Sequence, residues 1–119
     1  MAYVDGFVLV VPKRRLKDYQ KMARVAGKVW KELGALQYVE ATGHDLKARF
    51  GIPFPKLAKL KGGETVVFSW IVYKNKAQRD RINKKVMADP RIQKLMDPAK
   101  MPMDDKRMSY GGFRTIVSL

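Results

Sequence analysis

The sequence predicts an α+β domain with its elements in the order strand, helix, strand, strand, helix, strand. Three observations support this prediction. Residues 13–33 carry apolar side chains spaced three and four apart, which is typical of a helix with one buried face. Residues 3–11 and 65–73 are nearly continuous apolar runs, as expected of central strands. Pro12 and Gly34 mark the two ends of the long helix.

The first half of the chain supplies two strands and the long helix. The first strand, residues 3–11, ends before Pro12, which has no backbone N–H to donate to a sheet. A second strand is predicted at residues 35–42, with Leu36 and Tyr38 on one face and Glu40 as a further candidate for that face. The apolar stripe of the helix consists of Leu16, Tyr19, Ala23, Ala26, Trp30 and Leu33.

The third strand, residues 65–73, is apolar on both faces, so both faces must be covered. One layer of helices covers one face, and so short a chain has nothing left to cover the other. We therefore expect a second copy of the protein to pack on the open sheet face as a homodimer. Residues 43–63 form a long connection interrupted by glycine and proline, which is typical of a lid or a flap.

The last part of the chain predicts two helices and a final strand. Asn75 and Gln78 have the spacing of a capping box, for a helix that ends near Met87 and buries Ala77, Ile82 and Val86. Asp89 and Pro90 predict the start of a further short helix. The final strand is expected at residues 108–117. This order is that of the ferredoxin-like βαββαβ fold, a four-stranded antiparallel sheet with helices on one face.

Composition limits the class of protein. A length of 119 residues predicts a single domain over residues 1–119. The chain contains no cysteine, which excludes disulfides and thiolate metal sites and favours a cytoplasmic location. No segment approaches the roughly 18 apolar residues of a membrane span. The N-terminus enters a strand directly and does not resemble a signal peptide, so no membrane association is expected.

The formal net charge of +14 indicates an affinity for anions. Residues 13–31 hold eight basic side chains and one acidic one, Asp18. These charges form either a solvated basic surface or a nucleic-acid interface along the first helix and residues 56–61. Aromatic residues are not interleaved with the charges as single-strand binders require, so nucleic acid is the less favoured partner.

Few residues offer recognisable chemistry. His44 is the only histidine, and one histidine with no carboxylate cluster at helical spacing does not make a zinc site. It is either a surface residue or an acid or base on a lid. No phosphate-binding loop, dinucleotide fingerprint or nucleophile elbow is present. The sequence therefore predicts neither a metal nor a cofactor.

Charged residues near the central strands are stronger candidates. Asp5 lies inside an apolar strand, where a carboxylate must be paired or lose its charge. Arg107, just before the final strand, is its expected partner, and Asp5 serves either a structural ion pair or a ligand. Arg79 and Asn83 lie four apart on one face of the second predicted helix, which starts at Asn75. Adjacent residues on a helix do not face each other, so Arg79 and Asp80 are expected to serve different partners. Arg79 either binds an anion that Asn83 orients or makes an ordinary surface pair, while Asp80 complements the helix dipole.

The chain resembles the YbaA-like family, an uncharacterised group within the dimeric α/β-barrel superfamily. The resemblance rests on nine short stretches spread nearly from end to end: YVDGFV (3–8), VP (11–12), GAL (34–36), ETVVFSW (64–70), RD (79–80), MADPR (87–91), MP (101–102), KRM (106–108) and YGGF (110–113). It implies two four-stranded sheets packed face to face in a homodimer, with the helices outside, and no established activity.

Superfamily members such as cofactor-independent quinone-forming monooxygenases bind aromatic substrates between sheet and helices, so the resemblance implies a pocket there. The aromatic candidates to line it are Tyr3, Trp70, Tyr73 and Tyr110, with plain core packing as the alternative. The full set of ligand-binding candidates is Asp5, His44, Trp70, Tyr73, Arg79, Asn83, Arg107 and Tyr110. The favoured function is a homodimer that binds a small apolar or aromatic ligand, with or without turning it over. The alternatives are a structural or interaction protein and a nucleic-acid-binding protein.

Overall fold

The computed structural model describes residues 1–119 and contains a four-stranded antiparallel sheet with the main helices packed on one face. The strands are β1 (Tyr3–Pro12), β2 (Gln37–Thr42), β3 (Glu64–Tyr73) and β4 (Ser109–Arg114). The helices are α1 (Leu16–Glu32), α2 (Phe54–Leu57), α3 (Lys76–Met87) and α4 (Pro90–Leu95), and 3-10 turns cover Lys13–Arg15 and Asp105–Arg107. The strand order is β2-β3-β1-β4. This confirms the predicted ferredoxin-like α+β fold.

Strands β1 and β3 are central, as the apolar runs predicted. They pair over their whole length, with Asp5 opposite Ile71 and Phe7 opposite Ser69. Because side chains alternate along a strand, these four residues share one face. The helix-facing residues of the two strands are Tyr3, Asp5, Phe7, Leu9, Val11, Thr65, Val67, Ser69, Ile71 and Tyr73. The register therefore decides which polar groups enter the layer between sheet and helices.

The core between sheet and helices has two parts. One surrounds α3 and α4 and consists of Val29, Ala35, Ile71, Tyr73, Ile82, Val86 and Ile92. The other lies under the first half of α1 and consists of Leu9, Val11, Tyr19, Ala23 and Val67. The stripe on α1 contributes to both parts, so this helix joins them.

Capping residues start α3 and α4 as predicted. The Gln78 backbone N–H donates a 2.8 Å hydrogen bond to Asn75 Oδ1, and the Arg91 backbone N–H donates one of 2.8 Å to Asp89 Oδ1. Each cap satisfies a donor that has no partner within its helix. One detail of the prediction was wrong, because Ala77 is exposed. It lies in the first turn of α3, and the helix meets the core only further along.

The opposite face of the sheet is only partly covered. Phe68 is 44% exposed and Phe113 is 60% exposed on this open face. Val10 and Val66 pair on the same face yet are buried, at the end of the sheet where Phe54 of α2 packs edge-on against Phe68. The segment of residues 43–63 therefore covers one end of a face that was expected to be wholly open.

Strand β4 is shorter than the predicted 108–117. Its last residue, Arg114, pairs with Tyr3, the first residue of β1, and one further hydrogen bond runs from the Thr115 backbone N–H to the carbonyl of Ala2. No helix combines the length and the apolar composition needed to cross a bilayer.

Candidate functional site

A cavity of about 260 Å³ lies between the helix layer and the sheet. Sixteen of its 18 lining residues are hydrophobic, and the polar exceptions are Glu40 and Ser69. These two face each other across β2 and β3. The hydrophobic lining consists of Phe7, Leu9, Tyr19, Met22, Ala23, Ala26, Trp30, Tyr38, Ile71, Met87, Ile92, Leu95, Met96, Met101, Met103 and Met108. We refer to this space as the inner cavity.

Six of the seven methionines of the chain line the inner cavity. Met22 comes from α1, and the others lie at or after the end of α3, where the chain folds back over the sheet. Methionine is unbranched and polarisable, so a wall made of it can adapt its shape to different apolar partners. The arrangement is therefore suited to hold a small apolar molecule.

Glu40 holds two tyrosines at the edge of the inner cavity. The Tyr19 hydroxyl donates a 2.6 Å hydrogen bond to Glu40 Oε1, and the Tyr38 hydroxyl donates one of 2.6 Å to Oε2. Burial, together with the charge of Glu40 and its hydrogen bonds, raises the pKa values of Tyr19 and Tyr38 above the ordinary value for a tyrosine. The two phenols therefore remain donors to the carboxylate.

A close approach of helix to strand permits this arrangement. A Cβ atom at Gly27 of α1 would lie 2.7 Å from two ring carbons of Tyr38. Only glycine leaves room for the ring at its observed distance from the helix. Gly27 therefore fixes where the Tyr38 hydroxyl meets Glu40.

A second, more open space of about 570 Å³ runs between α1 and β2, and we call it the outer groove. It shares four lining residues with the inner cavity, namely Tyr19, Ala23, Tyr38 and Glu40. Its helical wall also carries Arg24, Lys28 and Lys31. The Lys31 ammonium donates to the carbonyl of Leu36, whereas neither Arg24 nor Lys28 forms an ion pair with a carboxylate.

Asp5 is paired, but with a different arginine from the one predicted. Arg79 Nε lies 3.2 Å from Asp5 Oδ1 without the alignment of a hydrogen bond, and Arg79 also pairs with Asp80. Its third contact is a 3.2 Å hydrogen bond to the Tyr3 hydroxyl, over whose ring the guanidinium lies. The expected Asp5–Arg107 pair is wrong, because α3 places Arg79 over the helix-facing side of β1.

Gly112 of β4 lies directly opposite Asp5 and makes room for this cluster. A Cβ atom there would collide with the Tyr3 hydroxyl and with Arg79 Nη2. The charged cluster therefore fills the space that a side chain at this position would occupy.

Tyr73 and Asn83 meet at the indole of Trp30. Trp30 Nε1 donates to the Tyr73 hydroxyl at 3.1 Å and to Asn83 Oδ1 at 3.2 Å, and the Tyr73 hydroxyl donates to the same Asn83 oxygen at 3.2 Å. Burial and the neighbouring Asp5 carboxylate raise the pKa of Tyr73. Since Trp30 lines the inner cavity, this network fixes part of its wall.

Arg107 instead joins β3 to the turn before β4. It forms a two-pronged pair with Glu64, at 3.0 and 2.5 Å, and a 2.7 Å hydrogen bond with Asp104. Its hydrogen bonds hold the pKa of both carboxyl groups below their ordinary values. Arg107 therefore acts as a clamp between distant segments and lines neither cavity.

The remaining three candidates are separated from one another. Trp70 lies on the open face, where its Nε1 donates to Gln37 Oε1 at 3.0 Å, so the predicted pocket shared by Trp70 and Tyr73 is wrong. Tyr110 stacks on Phe7 with ring centroids 6.0 Å apart but is 72% exposed. His44 is exposed in the 43–63 segment.

None of the eight predicted ligand-binding residues lines the inner cavity or the outer groove. No group of three or more histidine, aspartate or glutamate side chains is placed to hold a metal ion. The carboxylate that does line both spaces, Glu40, was missed as a site residue. Its signal was its position on the same strand face as Tyr38, the face that turns to the core.

The geometry defines a ferredoxin-like α+β protein with a methionine-lined cavity between its helices and its sheet. The chain belongs to a protein family of unknown function, DUF1428, whose model matches residues 2–105. It is 44% identical over 117 residues to the uncharacterized protein YbaA of Escherichia coli K12, and the match covers 98% of each chain. The predicted resemblance to the YbaA-like family is thereby confirmed.

Solved structures show the same fold at low sequence identity. A dimeric ferredoxin-like protein from an uncultured marine organism aligns over 100% of both chains, with a TM-score of 0.62 and 12% identity. SnoaB of Streptomyces nogalater, a cofactor-independent oxygenase, aligns over 99% of this chain and 96% of its own, with a TM-score of 0.60 and 10% identity.

Proposed function

We propose that the protein is a cytoplasmic homodimer that binds a small apolar or aromatic molecule in the inner cavity of each subunit. The observation that carries this proposal is the lining itself, which is apolar except for Glu40 and Ser69. Binding sites for small molecules are concave and mostly apolar, with a few polar groups that fix orientation. A volume of about 260 Å³ is at the small end of such sites and suits a ligand of one or two rings.

Glu40 is the group that would orient the ligand. A carboxylate accepts about four hydrogen bonds, and the two tyrosines use one on each oxygen. The remaining capacity is available to a hydroxyl or N–H group on a ligand. Ser69, opposite Glu40, adds a hydroxyl that can donate or accept. We therefore expect ligands with an apolar body, which Glu40 and Ser69 orient wherever the ligand carries a donor group.

Two networks support the cavity without lining it. Asp5 and Arg79 tie α3 to β1, while Tyr73 and Asn83 hold the Trp30 indole in the cavity wall. These four predicted site residues are therefore assigned a positioning role. Tyr110 supports the opposite wall through its stacking on Phe7.

The open face supports the homodimer. Phe68, Trp70 and Phe113 present aromatic rings there, and the polar atom of the Trp70 indole is already satisfied by Gln37. Aromatic side chains are enriched in protein interfaces. One protein of the same fold, the ferredoxin-like protein from an uncultured marine organism, is dimeric, which supports the same arrangement. Trp70 is thus assigned to the interface rather than to the ligand.

Calorimetric titration with 2-naphthol tests the ligand site. We expect one site per subunit in the unmodified protein and a strong loss of binding in Ala26→Leu, which fills the inner cavity. Val25→Leu is the matched control, because it adds a methylene on the same helix outside the cavity. Absence of binding, or equal binding by Ala26→Leu, would contradict the proposal.

Glu40 also favours turnover as a second candidate function. A carboxylate beside an apolar space can remove a proton from a bound substrate, which is the general-base step that needs no cofactor. The probe is 2-tetralone, a two-ring ketone whose C–H bonds beside the carbonyl are acidic. In this step the C–H bond breaks, Glu40 takes the proton, and the substrate becomes an enolate. In D₂O, the unmodified protein should accelerate the replacement of this hydrogen by deuterium, and the acceleration should disappear in Glu40→Gln. Exchange at the uncatalysed rate with the unmodified protein would contradict catalysis.

A further inference from the structure

The outer groove brings unpaired positive charge to the edge of the inner cavity. Arg24 and Lys28 lie one turn apart on α1 and face β2 across the groove. Every ion pair between a basic side chain and a carboxylate in the structure involves a residue other than these two, so Arg24 and Lys28 have no anionic partner. The only carboxylate that lines the groove is Glu40, whose oxygens already accept hydrogen bonds from Tyr19 and Tyr38.

The two spaces meet at one place. Tyr19, Ala23, Tyr38 and Glu40 line both, so a molecule that enters the inner cavity from the groove passes these side chains. Beyond them the lining is apolar, and before them the helical wall of the groove carries Arg24, Lys28 and Lys31. A ligand that matches both environments has an apolar body and an anionic end.

We propose that the ligand is an amphipathic organic acid, with its apolar body in the inner cavity and its carboxylate in the outer groove against Arg24 and Lys28. This inference rests on the proposed ligand site and adds the chemical class that the site selects. The guanidinium of Arg24 can form two parallel hydrogen bonds with a carboxylate, and Lys28 adds a charge from the same helix face. A short polyanion would meet the same charges but has no apolar body for the cavity.

The groove is a more specific feature than the overall charge. The formal net charge of +14 attracts every anion, and salt screens that attraction over about 10 Å at 0.1 M. Anion binding through Arg24 and Lys28 would instead be lost when those two side chains are replaced. Lys17 and Lys21 lie on the same helix, are exposed, and line neither space. They provide a control with the same change in charge.

The test compares 2-naphthoate with 2-naphthylmethanol, its neutral analogue, by calorimetric titration in about 0.1 M salt. We expect the unmodified protein to bind the anion about tenfold more tightly, as one charge-assisted contact provides. The double variant Arg24→Gln/Lys28→Gln should bind both probes equally. The control Lys17→Gln/Lys21→Gln should keep the preference.

The outcomes separate the two proposals. Equal binding of both probes by the unmodified protein overturns the organic-acid inference and leaves the ligand site standing. A preference lost equally in both double variants also overturns it, because bulk charge then explains the effect. If neither probe binds, the ligand site itself is contradicted.

Discussion

The Tyr19 hydroxyl donates a 2.6 Å hydrogen bond to Glu40 and so joins helix α1 to strand β2 at the boundary of the inner cavity and the outer groove. The Tyr38 hydroxyl makes an equally short hydrogen bond to the other oxygen of the same carboxylate. The charged group is thereby satisfied at the edge of an otherwise apolar cavity. The arrangement places this carboxylate where the inner cavity and the outer groove meet, and leaves it able to accept a further donor.

Tyrosine ionisation tests the Glu40 cluster. The pKa values of Tyr19, Tyr38 and Tyr73 are raised, chiefly by burial and then by a neighbouring carboxylate. The native state therefore gains stability below the unfolded pKa of about 10 and loses it as the pH rises above that value. In an ultraviolet titration we expect three of the five tyrosines to ionise only as the chain unfolds.

The variant Glu40→Gln provides the comparison for that titration. It removes the charge that raises the pKa of Tyr19 and Tyr38, so their ionisation should move toward lower pH while Tyr73 stays masked. Reversible ionisation of all five tyrosines near pH 10 in the folded, unmodified protein would contradict the described cluster.

Loss of Arg79 should destabilise the fold through Asp5. The Asp5 side chain is 9% exposed, and removal of its cation leaves a nearly buried carboxylate without a partner. Because the Arg79 side chain is itself 22% exposed, we expect Arg79→Met to lower the unfolding free energy by about 2–3 kcal/mol, somewhat less than for a fully buried pair. Urea denaturation measures this change.

Arg81→Met is the matched control, since Arg81 is exposed on the same helix and forms no ion pair. It should change the unfolding free energy by less than about 0.5 kcal/mol. Equal effects of the two substitutions would show that the Asp5–Arg79 pair contributes nothing particular to stability.

The substitution Gly27→Ala has two opposing effects on stability, a gain in helix propensity and a loss in packing. Alanine favours the helix by about 1 kcal/mol over glycine. Its Cβ atom, however, would lie 2.7 Å from the Tyr38 ring, so the ring must move and its hydrogen bond to Glu40 is lost. Overpacking costs about 1–3 kcal/mol and the lost hydrogen bond about 1 kcal/mol, so packing wins and the variant is less stable.

Thermal unfolding of Gly27→Ala, with Lys28→Ala as the exposed neighbour, measures that balance. The Lys28 variant should unfold close to the unmodified protein. A more stable Gly27→Ala variant would mean that Tyr38 is not packed against the helix as described.

Phe68→Asp tests the open sheet face. In a symmetric dimer the substitution introduces two carboxylates where aromatic rings would meet, and we expect association to weaken about 30-fold or more, the effect of losing a binding hot spot of about 2 kcal/mol. Light scattering over a range of concentrations measures the subunit count. Phe50→Asp is the control, because Phe50 is more exposed but lies in the 43–63 segment. A monomeric unmodified protein would contradict the dimer outright.

The fold could be predicted because its signals are local. Three such signals are the apolar run of β1, the apolar run of β3 and the cap at Asn75. Each is made by residues within a few positions of one another, and together the signals determine the element order. Strand alternation was equally local, but the prediction of a pocket overlooked it. Trp70 and Tyr73 lie three positions apart on one strand and so point to opposite faces.

The site could not be predicted in the same way because it depends on contacts between distant segments. Glu40 meets Tyr19 across 21 positions, and Asp5 could be matched to Arg79 only once α3 was placed on the sheet. The methionines after α3 follow no helical or strand period, so nothing in their spacing predicted that they converge.

Methionine methyl NMR during titration with 2-naphthol tests the ligand site most directly. Six methionines line the inner cavity and Met1 does not, so the chain carries its own internal control. We predict that the methyl signals of the six shift with one common saturation curve while that of Met1 stays in place. Unchanged signals at saturating probe, or a shift confined to Met1, would contradict a ligand site between the helices and the sheet.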